Sequence, residues 1–252
     1  ATSLFCIGTV YENLAKYDSA LVCFLEAQAI SEETGDSKLI AVAKTSLANI
    51  YYEMDNMAKA EEYYREAIVI FEKTGNKLGL LKSYYSLGQV SEHANNYAEA
   101  LNSYTTALNL SFELGSYSDM ANLNRIIGGL YESSGTADSA FAYYYRAMYI
   151  YKAVGNNEST ASMLTSLARL ENSRKNFVEA KEYLSEALDI AEQTSSKPLL
   201  SAVYRELAAT FAGTNDFKKG FRYLEKYSGI KDSLMTEEKQ KQILELQTKY
   251  ET

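Results

Sequence analysis

The hydrophobic positions of this chain recur with a period of 40 residues. A large apolar residue followed by a small one occurs once per period, at Ile7-Gly8, Leu47-Ala48, Leu87-Gly88, Ile127-Gly128, Leu167-Ala168 and Leu207-Ala208. A second set of small residues keeps the same spacing, at Ala20, Ala60, Ala100, Ala140, Ala180 and Gly220. A fixed period of about 20–50 residues is typical of repeat architectures. The pattern therefore predicts six copies of one structural repeat.

Within each repeat the apolar positions follow a helical spacing. Four residues after the small residue stands a large one, at Phe24, Tyr64, Tyr104, Tyr144, Leu184 and Leu224. Three residues later the column is Ala27, Ala67, Ala107, Ala147, Ala187 and Tyr227. Spacings of three and four place these residues on one face of an α-helix. Small residues let two helices cross closely and the larger ring fills the space beside the crossing, so we interpret these tyrosines as structural.

Turn residues divide the chain into pairs of helices. Gly35, Gly75, Gly115 and Gly155 fit the left-handed residue that follows a helix, and Ser195 takes this place in the fifth repeat. No segment has a strand pattern, so the predicted class is all-α. We expect helix–turn–helix repeats over residues 1–40, 41–80, 81–120, 121–160, 161–200 and 201–230, and a C-terminal helix over 231–252.

Several of these segments resemble the tetratricopeptide repeat (TPR). The segment from Ala60 to Ala67 is similar to the second helix of a TPR, and Leu87-Gly88 to the signature of the first helix. The chain lacks the Trp and the terminal Pro of that pattern, and its repeat is longer than the usual one of about 34 residues, so it resembles the longer TPRs. The resemblance implies a right-handed superhelical solenoid with a concave groove that binds a peptide or protein.

The same resemblance implies which side chains face the groove. Those of the first helices would be Phe5, Thr9, Asn49, Tyr52, Lys82, Tyr85, Gln89, Arg125, Arg169 and Arg205. The family's carboxylate clamp uses Asn, Lys and Arg in fixed columns. Asn49, Lys82 and Arg125 are present, but not in the full clamp arrangement. Because arginine pairs well with carboxylates, an acidic partner segment is one expectation. A solvated face with incidental charges is the alternative.

The net charge and the absence of certain sequence motifs argue against several classes of function. The net charge of −8 argues against nucleic acid as a partner, because phosphate binding needs a basic surface. No apolar run of about 18 residues is present, so we expect no membrane contact within the chain. The sequence also lacks a phosphate-binding glycine loop, a paired-histidine helix and a Cys-x-x-Cys motif. We therefore expect no enzymatic activity, no metal and no cofactor.

Three isolated residues have ordinary interpretations. His93, the only histidine, stands where a first helix ends, so we expect an exposed turn residue. A groove contact or a pH-sensitive group is the alternative. Cys6 and Cys23 lie on the two helices of the first repeat, and we expect two partly buried thiols. A disulfide between them stays open, because the sequence cannot establish the required geometry.

The tail carries a second resemblance. Residues Lys231 to Tyr250 are similar to the segment that leaves the TPR array in bacterial membrane-bound signalling regulators. This implies the sensory or interaction domain of a signalling or transcription-regulating protein, in an extracytoplasmic or alternatively a cytoplasmic location. A structural spacer and a regulatory part of an enzyme are further alternatives. We expect the tail helix to cover the last pair through Leu234 and Met235, and residues 234–250 to offer a weak self-association seam.

Overall fold

The computed structural model describes residues 1–250, and their side chains as far as residue 241. These residues form α-helices joined by short turns, without a β-strand in the described range. The helices are α1 Thr2–Asn13, α2 Tyr17–Thr34, α3 Ser37–Glu53, α4 Met57–Thr74, α5 Lys77–His93, α6 Tyr97–Leu114, α7 Tyr117–Ser133, α8 Ala137–Ala153, α9 Asn157–Ser173, α10 Phe177–Gln193, α11 Lys197–Gly213 and α12 Phe217–Tyr250.

Within each of the two bodies described below, successive helices pack as antiparallel pairs, namely α1 on α2, α3 on α4, α5 on α6, α9 on α10 and α11 on α12. The first helices of the second to sixth pairs begin at residues 37, 77, 117, 157 and 197, four residues before the numbered repeats. The chain separates into two compact bodies. The N-terminal body is Ala1–Leu130, and the C-terminal body begins at Tyr131, within α7.

Left-handed residues end the second helices, as the sequence predicts. Gly75 has φ +65° and Ser195, in the same column, has φ +51°. A second left-handed column, in the turn within each pair, was not predicted. It holds mixed residue types, namely Ala15, Asp55, Asn95, Gly135, Lys175 and Asn215. Such a turn is set by the spacing of the two helices as well as by residue type, which explains why the column lacks a glycine signature.

Polar side chains cap the first helices. Oδ1 of Asp36 accepts hydrogen bonds from the backbone N–H groups of Lys38 and Leu39 at 3.0 and 3.2 Å. Oδ1 of Asn76 accepts one from Gly79 at 3.0 Å. These bonds satisfy donors that the first turn of a helix leaves without partners. The caps therefore fix where α3 and α5 begin.

The core lies where the predicted small and large columns meet. Ala100 is fully buried, and the ring of Tyr104 covers Gly88 so closely that a Cβ there would lie 2.6 Å from its Cε1 atom. The N-terminal body contains further clusters of this kind. In one of them Ala20 and Phe24 of α2 pack against Leu47 and Ile50 of α3.

The last helix departs from the prediction. We expected a separate helix after Gly229, but α12 continues through Gly229 without a break. The residues on both sides favour helix, and Gly229 is exposed, so one glycine does not stop it. Nζ of Lys197, on α11, lies 3.1 Å from Oγ of Ser233 and also contacts the carboxylate of Glu237.

Only part of the tail prediction can be compared with the structure. Leu234 is half-buried, whereas Met235 is exposed. The predicted self-association seam, residues 234–250, extends past residue 241, where the described side chains end. Within the part of the chain that is described, no helix is both long and apolar enough to cross a membrane.

Candidate functional site

A pocket of about 400 Å³ opens on the first helices of the N-terminal body. We call the surface that α3, α5 and α7 form around it the first-helix face. Three residues named from the sequence, Asn49, Lys82 and Tyr85, lie together in its lining. The full lining is Thr45, Asn49, Leu81, Lys82, Tyr85, Ser86, Asp119, Asn122 and Leu123.

The pocket wall is held by a buried tyrosine. The Tyr64 hydroxyl donates a hydrogen bond to Oδ1 of Asn49 at 2.6 Å. Burial raises the pKa of Tyr64 to about 12, and the Ser86 hydroxyl beside it acts in the opposite direction. Tyr64 is therefore a neutral donor at physiological pH, and its bond orients the Asn49 amide toward the face. The wall presents hydroxyl and amide groups that can bond to an extended peptide backbone.

The charged groups of the first-helix face are only partly paired. Asp119 accepts a hydrogen bond from the Ser116 hydroxyl at 2.5 Å, and the Arg125 guanidinium donates to Oδ1 of Asn122 at 2.8 Å. Among residues 1–241, neither Lys82 nor Arg125 forms an ion pair with a carboxylate. Both are exposed. Two cations are thus available at one pocket. Lys82 is part of the lining, and Arg125 is hydrogen-bonded to the lining residue Asn122.

Tyr52 and Gln89, which the sequence also predicted for the groove, are not part of the pocket lining. Tyr52 is half-buried, and its ring meets the His93 ring edge-on, with centroids 6.4 Å apart. His93 Nε2 lies 3.7 Å from Oδ1 of Asp55. His93 is exposed at the end of α5, as the sequence predicts. Gln89 is half-buried on α5, one turn beyond Tyr85.

The two arginines predicted for the basic end have partners inside the C-terminal body. Arg169 forms a two-pronged pair with Glu132, with Nη1 and Nη2 at 2.7 and 3.0 Å from its two oxygens. Glu132 also accepts a hydrogen bond from Tyr144 at 2.8 Å. Nη2 of Arg205 lies 3.1 Å from the buried carboxylate of Glu206. These internal pairs neutralise much of the positive charge that the sequence suggested.

Some residues of the pocket lining were not predicted, although the 40-residue repeat could have identified them. Thr45 shares the column of Tyr85 and Arg125, and Asn122 shares that of Lys82. The 40-residue spacing alone could have found both. Asp119 stands one turn earlier on α7, outside the columns considered, and only the folded structure brings it to the pocket.

The structure also describes the two cysteines. Both thiols are free; Cys23 is half-buried, but Cys6 is exposed, contrary to the expected partial burial. Cys6 lies on a surface of α1 that no described helix covers. Within the described residues, no group of three or more His, Cys, Asp or Glu side chains is arranged to hold a metal ion.

Several solved structures share the fold of this chain. The chain is similar to BtubC (BKLC) from P. vanneervenii, with a TM-score of 0.72 and 18% identity over 86% of this chain and 92% of that one. It is similar to the apo form of RapI, with a TM-score of 0.68 and 15% identity over 93% and 98% of the two chains.

A third similar structure is a much longer protein. It is a signal transduction ATPase with numerous domains (STAND) and a tetratricopeptide repeat sensor, from Pyrococcus horikoshii. The TM-score is 0.67 and the identity 16%, over 93% of this chain but 43% of that one. Similarity at these identities concerns the fold alone.

The sequence comparison gives the family directly. No curated protein matches this chain in sequence. The tetratricopeptide repeat family model matches residues 1–68, 39–111, 119–193 and 159–233. Proteins built from this repeat are scaffolds for protein interactions. With its 40-residue period, its paired helices and these matches, the chain belongs to the tetratricopeptide repeat family.

Proposed function

We propose that this protein binds a segment of a partner protein on the first-helix face, and that the segment carries acidic side chains. The unpaired cations Lys82 and Arg125 beside the pocket carry this proposal. An arginine or lysine without an internal carboxylate can pair with a carboxylate of a partner. Arg169 and Arg205 already have such partners, so they contribute less to binding.

The pocket lining explains how the segment would be held. Asn49, Ser86 and Asn122 offer amide and hydroxyl groups to the partner backbone, while Leu81 and Leu123 offer apolar contact. A small number of polar groups that converge on a partly apolar concave surface is typical of binding sites. The carboxylate of Asp119 in the same lining disfavours a second acidic group at its end of the pocket. The expected segment therefore has acidic residues placed toward Lys82 and Arg125.

We further propose that this interaction serves bacterial signalling, with the chain as a sensory or interaction domain that has no catalytic role of its own. The support is the likeness in fold to RapI and to a STAND protein with a repeat sensor. The excess of acidic residues supports a protein or peptide partner over nucleic acid.

Selection from a random peptide library tests the binding proposal. The protein is immobilised, and the bound peptides are sequenced at low and at high salt. We expect enrichment of Asp and Glu at low salt that falls as salt rises, because exposed charge pairs are screened. The variant Lys82→Ala/Arg125→Ala should lose this enrichment.

A matched control removes the same charge elsewhere. Lys38→Ala/Lys218→Ala changes two exposed lysines that are outside the pocket lining. We expect the control to select the same acidic peptides as the unchanged protein. Equal losses in both variants would mean that net charge, and not the first-helix face, governs selection. An absence of acidic enrichment in the unchanged protein would also contradict the proposal.

A further inference from the structure

A second pocket, of about 280 Å³, opens beside the first one on helices α3 and α5. Thr45 and Lys82 belong to the linings of both pockets, so the two concavities are continuous. Leu78 and Gly79, which line the second pocket, stand one turn before Lys82 on α5. We call this second concavity the Gly79 pocket. It extends the first-helix face toward the turn that joins α4 to α5.

The lining of the Gly79 pocket is mainly apolar. Val42 of α3 and Leu78 of α5 belong to it, and they are 43% and 50% exposed. Phe71 of α4 lines it from within the core and is only 5% exposed. The Phe71 ring lies so close to Gly79 that an added Cβ would be 2.6 Å from the ring. Apolar surface around an open concavity gains free energy when it receives an apolar group from water.

The sizes of two residues explain why the space beside Gly79 is open. In the C-terminal body the equivalents of Phe71 and Gly79 are Ala191 and Leu199, and both are buried. There the large residue is on the first helix and the small one on the second. In the N-terminal body this order is reversed, so the bulk lies in the core and α5 has no side chain at position 79. The Gly79 pocket is therefore a property of this residue pair and not of the repeat.

We propose that the Gly79 pocket binds one large apolar side chain, such as leucine or methionine, of the partner segment that binds the first-helix face. This inference rests on the function proposed above and adds a second recognition element to the acidic one. A cavity of about 150 Å³ is large enough for benzene. The 280 Å³ of this pocket therefore accommodates one such side chain.

Lys82 relates the apolar side chain to the acidic one. Because its side chain lines both pockets, a partner carboxylate paired with Lys82 lies at the boundary between them. One helical turn, about 5.4 Å, separates Leu78 and Gly79 from Lys82 along α5. Side chains on the same side of an extended segment are about 6.6 Å apart, two residues along the chain. We therefore expect the apolar side chain about two residues from the acidic one.

The peptides selected from the random library test this spacing. We expect large apolar residues to be enriched at one fixed position, about two residues from the enriched Asp or Glu. Replacing that apolar residue with alanine in a selected peptide should raise the Kd, measured by fluorescence anisotropy, by about tenfold. Acidic enrichment without a fixed apolar position would overturn this inference and leave the proposed function intact. An absence of acidic enrichment would instead refute the function on which the inference rests.

Val42→Ser/Leu78→Ser removes the exposed apolar walls of the pocket. We expect the difference in Kd between the selected peptide and its alanine version to disappear, while the acidic enrichment remains because Lys82 and Arg125 are unchanged. The matched control is Val22→Ser/Val69→Ser, which changes two exposed valines outside both linings. The control should keep the difference in Kd. An equal loss in both variants would mean that the Gly79 pocket is not the site.

A second variant fills the pocket instead of removing its walls. Phe71→Ala/Gly79→Leu introduces the pair that the chain itself has at Ala191 and Leu199. Circular dichroism should show an unchanged helix content. We expect this variant also to lose the preference for the apolar side chain and to keep the acidic enrichment. If the folded variant still distinguished the selected peptide from its alanine version by about tenfold, the apolar side chain would bind elsewhere and the inference would be wrong.

Discussion

The hydroxyl of Tyr104 donates a hydrogen bond to Oε2 of Glu92 at 2.9 Å, while the ring of the same tyrosine lies over Gly88. Tyr104 thus joins the two helices of the third repeat by an apolar contact and a polar one. Tyr144 makes the equivalent bond to Glu132 at 2.8 Å. In the second repeat the residue equivalent to Glu92 is Tyr52, which has no carboxylate. The hydroxyl of Tyr64 donates to Oδ1 of Asn49 instead.

Tyr104→Phe removes the polar contact and keeps the ring. We expect the free energy of unfolding to fall by about 1 kcal/mol, because a bond to a charged acceptor is lost while the exposed Glu92 regains water. The urea midpoint, followed by circular dichroism, measures the change. Tyr97→Phe is the control, since Tyr97 is exposed and bonds only to Asn95 at 3.0 Å. An equal effect of the two substitutions would contradict this account of Tyr104.

The same hydroxyl predicts a dependence on alkaline pH. Burial, followed by the charge of Glu92, raises the pKa of Tyr104 above its ordinary value of 10.0. The unfolded phenol ionises near pH 10 while the folded one stays neutral, so stability is lost as pH rises above 10. Tyr104→Phe lacks this loss. We therefore expect its stability deficit to be constant between pH 7 and 9.5 and to shrink above pH 10, as measured by urea midpoints at each pH. A deficit that grew above pH 10 would refute this sign.

Two glycine substitutions should act in opposite directions. Gly88→Ala should destabilise, because the added Cβ would lie 2.6 Å from the Tyr104 ring. Overpacking of this kind costs about 1–3 kcal/mol. The better helix propensity of alanine offsets at most about 1 kcal/mol of this cost. At Gly229 no atom lies within 4 Å of an added Cβ, so Gly229→Ala should stabilise by up to about 1 kcal/mol. Melting temperatures of both variants check this. A shift of the same sign in both would be inconsistent with the packing described.

Ser195 has a left-handed backbone conformation, which costs more free energy for serine than for glycine. Its φ is +51°, whereas the same turn in the second repeat has Gly75 at +65°. A left-handed non-glycine residue costs about 1–3 kcal/mol, and the extra freedom of glycine in the unfolded chain offsets about 0.4–1 of this. We expect Ser195→Gly to raise the thermal midpoint, and Gly75→Ala to lower it. A decrease for Ser195→Gly would show that the serine side chain stabilises the turn.

The 40-residue period predicted the fold well because it reports directly on the helix crossings. Ala100 and Tyr104 are buried, as the columns require. The periodicity gave no information on partners between columns. Arg169 occupies position 9 of its repeat, and its partner Glu132 occupies position 12 of the repeat before, a pairing that depends on how neighbouring helices are aligned. The sequence therefore suggested a free cation where the structure has a neutral pair.

Three of the residues predicted for the groove share one pocket. Asn49, Lys82 and Tyr85 lie together in one lining, as expected from their columns on successive first helices. Their role in binding stays a proposal. Gly229 misled the prediction of the tail, because glycine is a frequent helix end and yet is tolerated inside a helix at moderate cost. Neither propensity nor periodicity could decide between these two outcomes.

Because α12 is one unbroken helix, its C-terminal part moves together with the part that packs on α11. From Glu237, whose carboxylate Lys197 of α11 contacts, to Tyr250 the helix spans 13 residues, or about 20 Å at about 1.5 Å per residue. A rotation of α12 by about 10° against α11 would move the far end by about 3 Å on this geometry. Small shifts in the packing of the sixth repeat are thereby enlarged at the far end of α12.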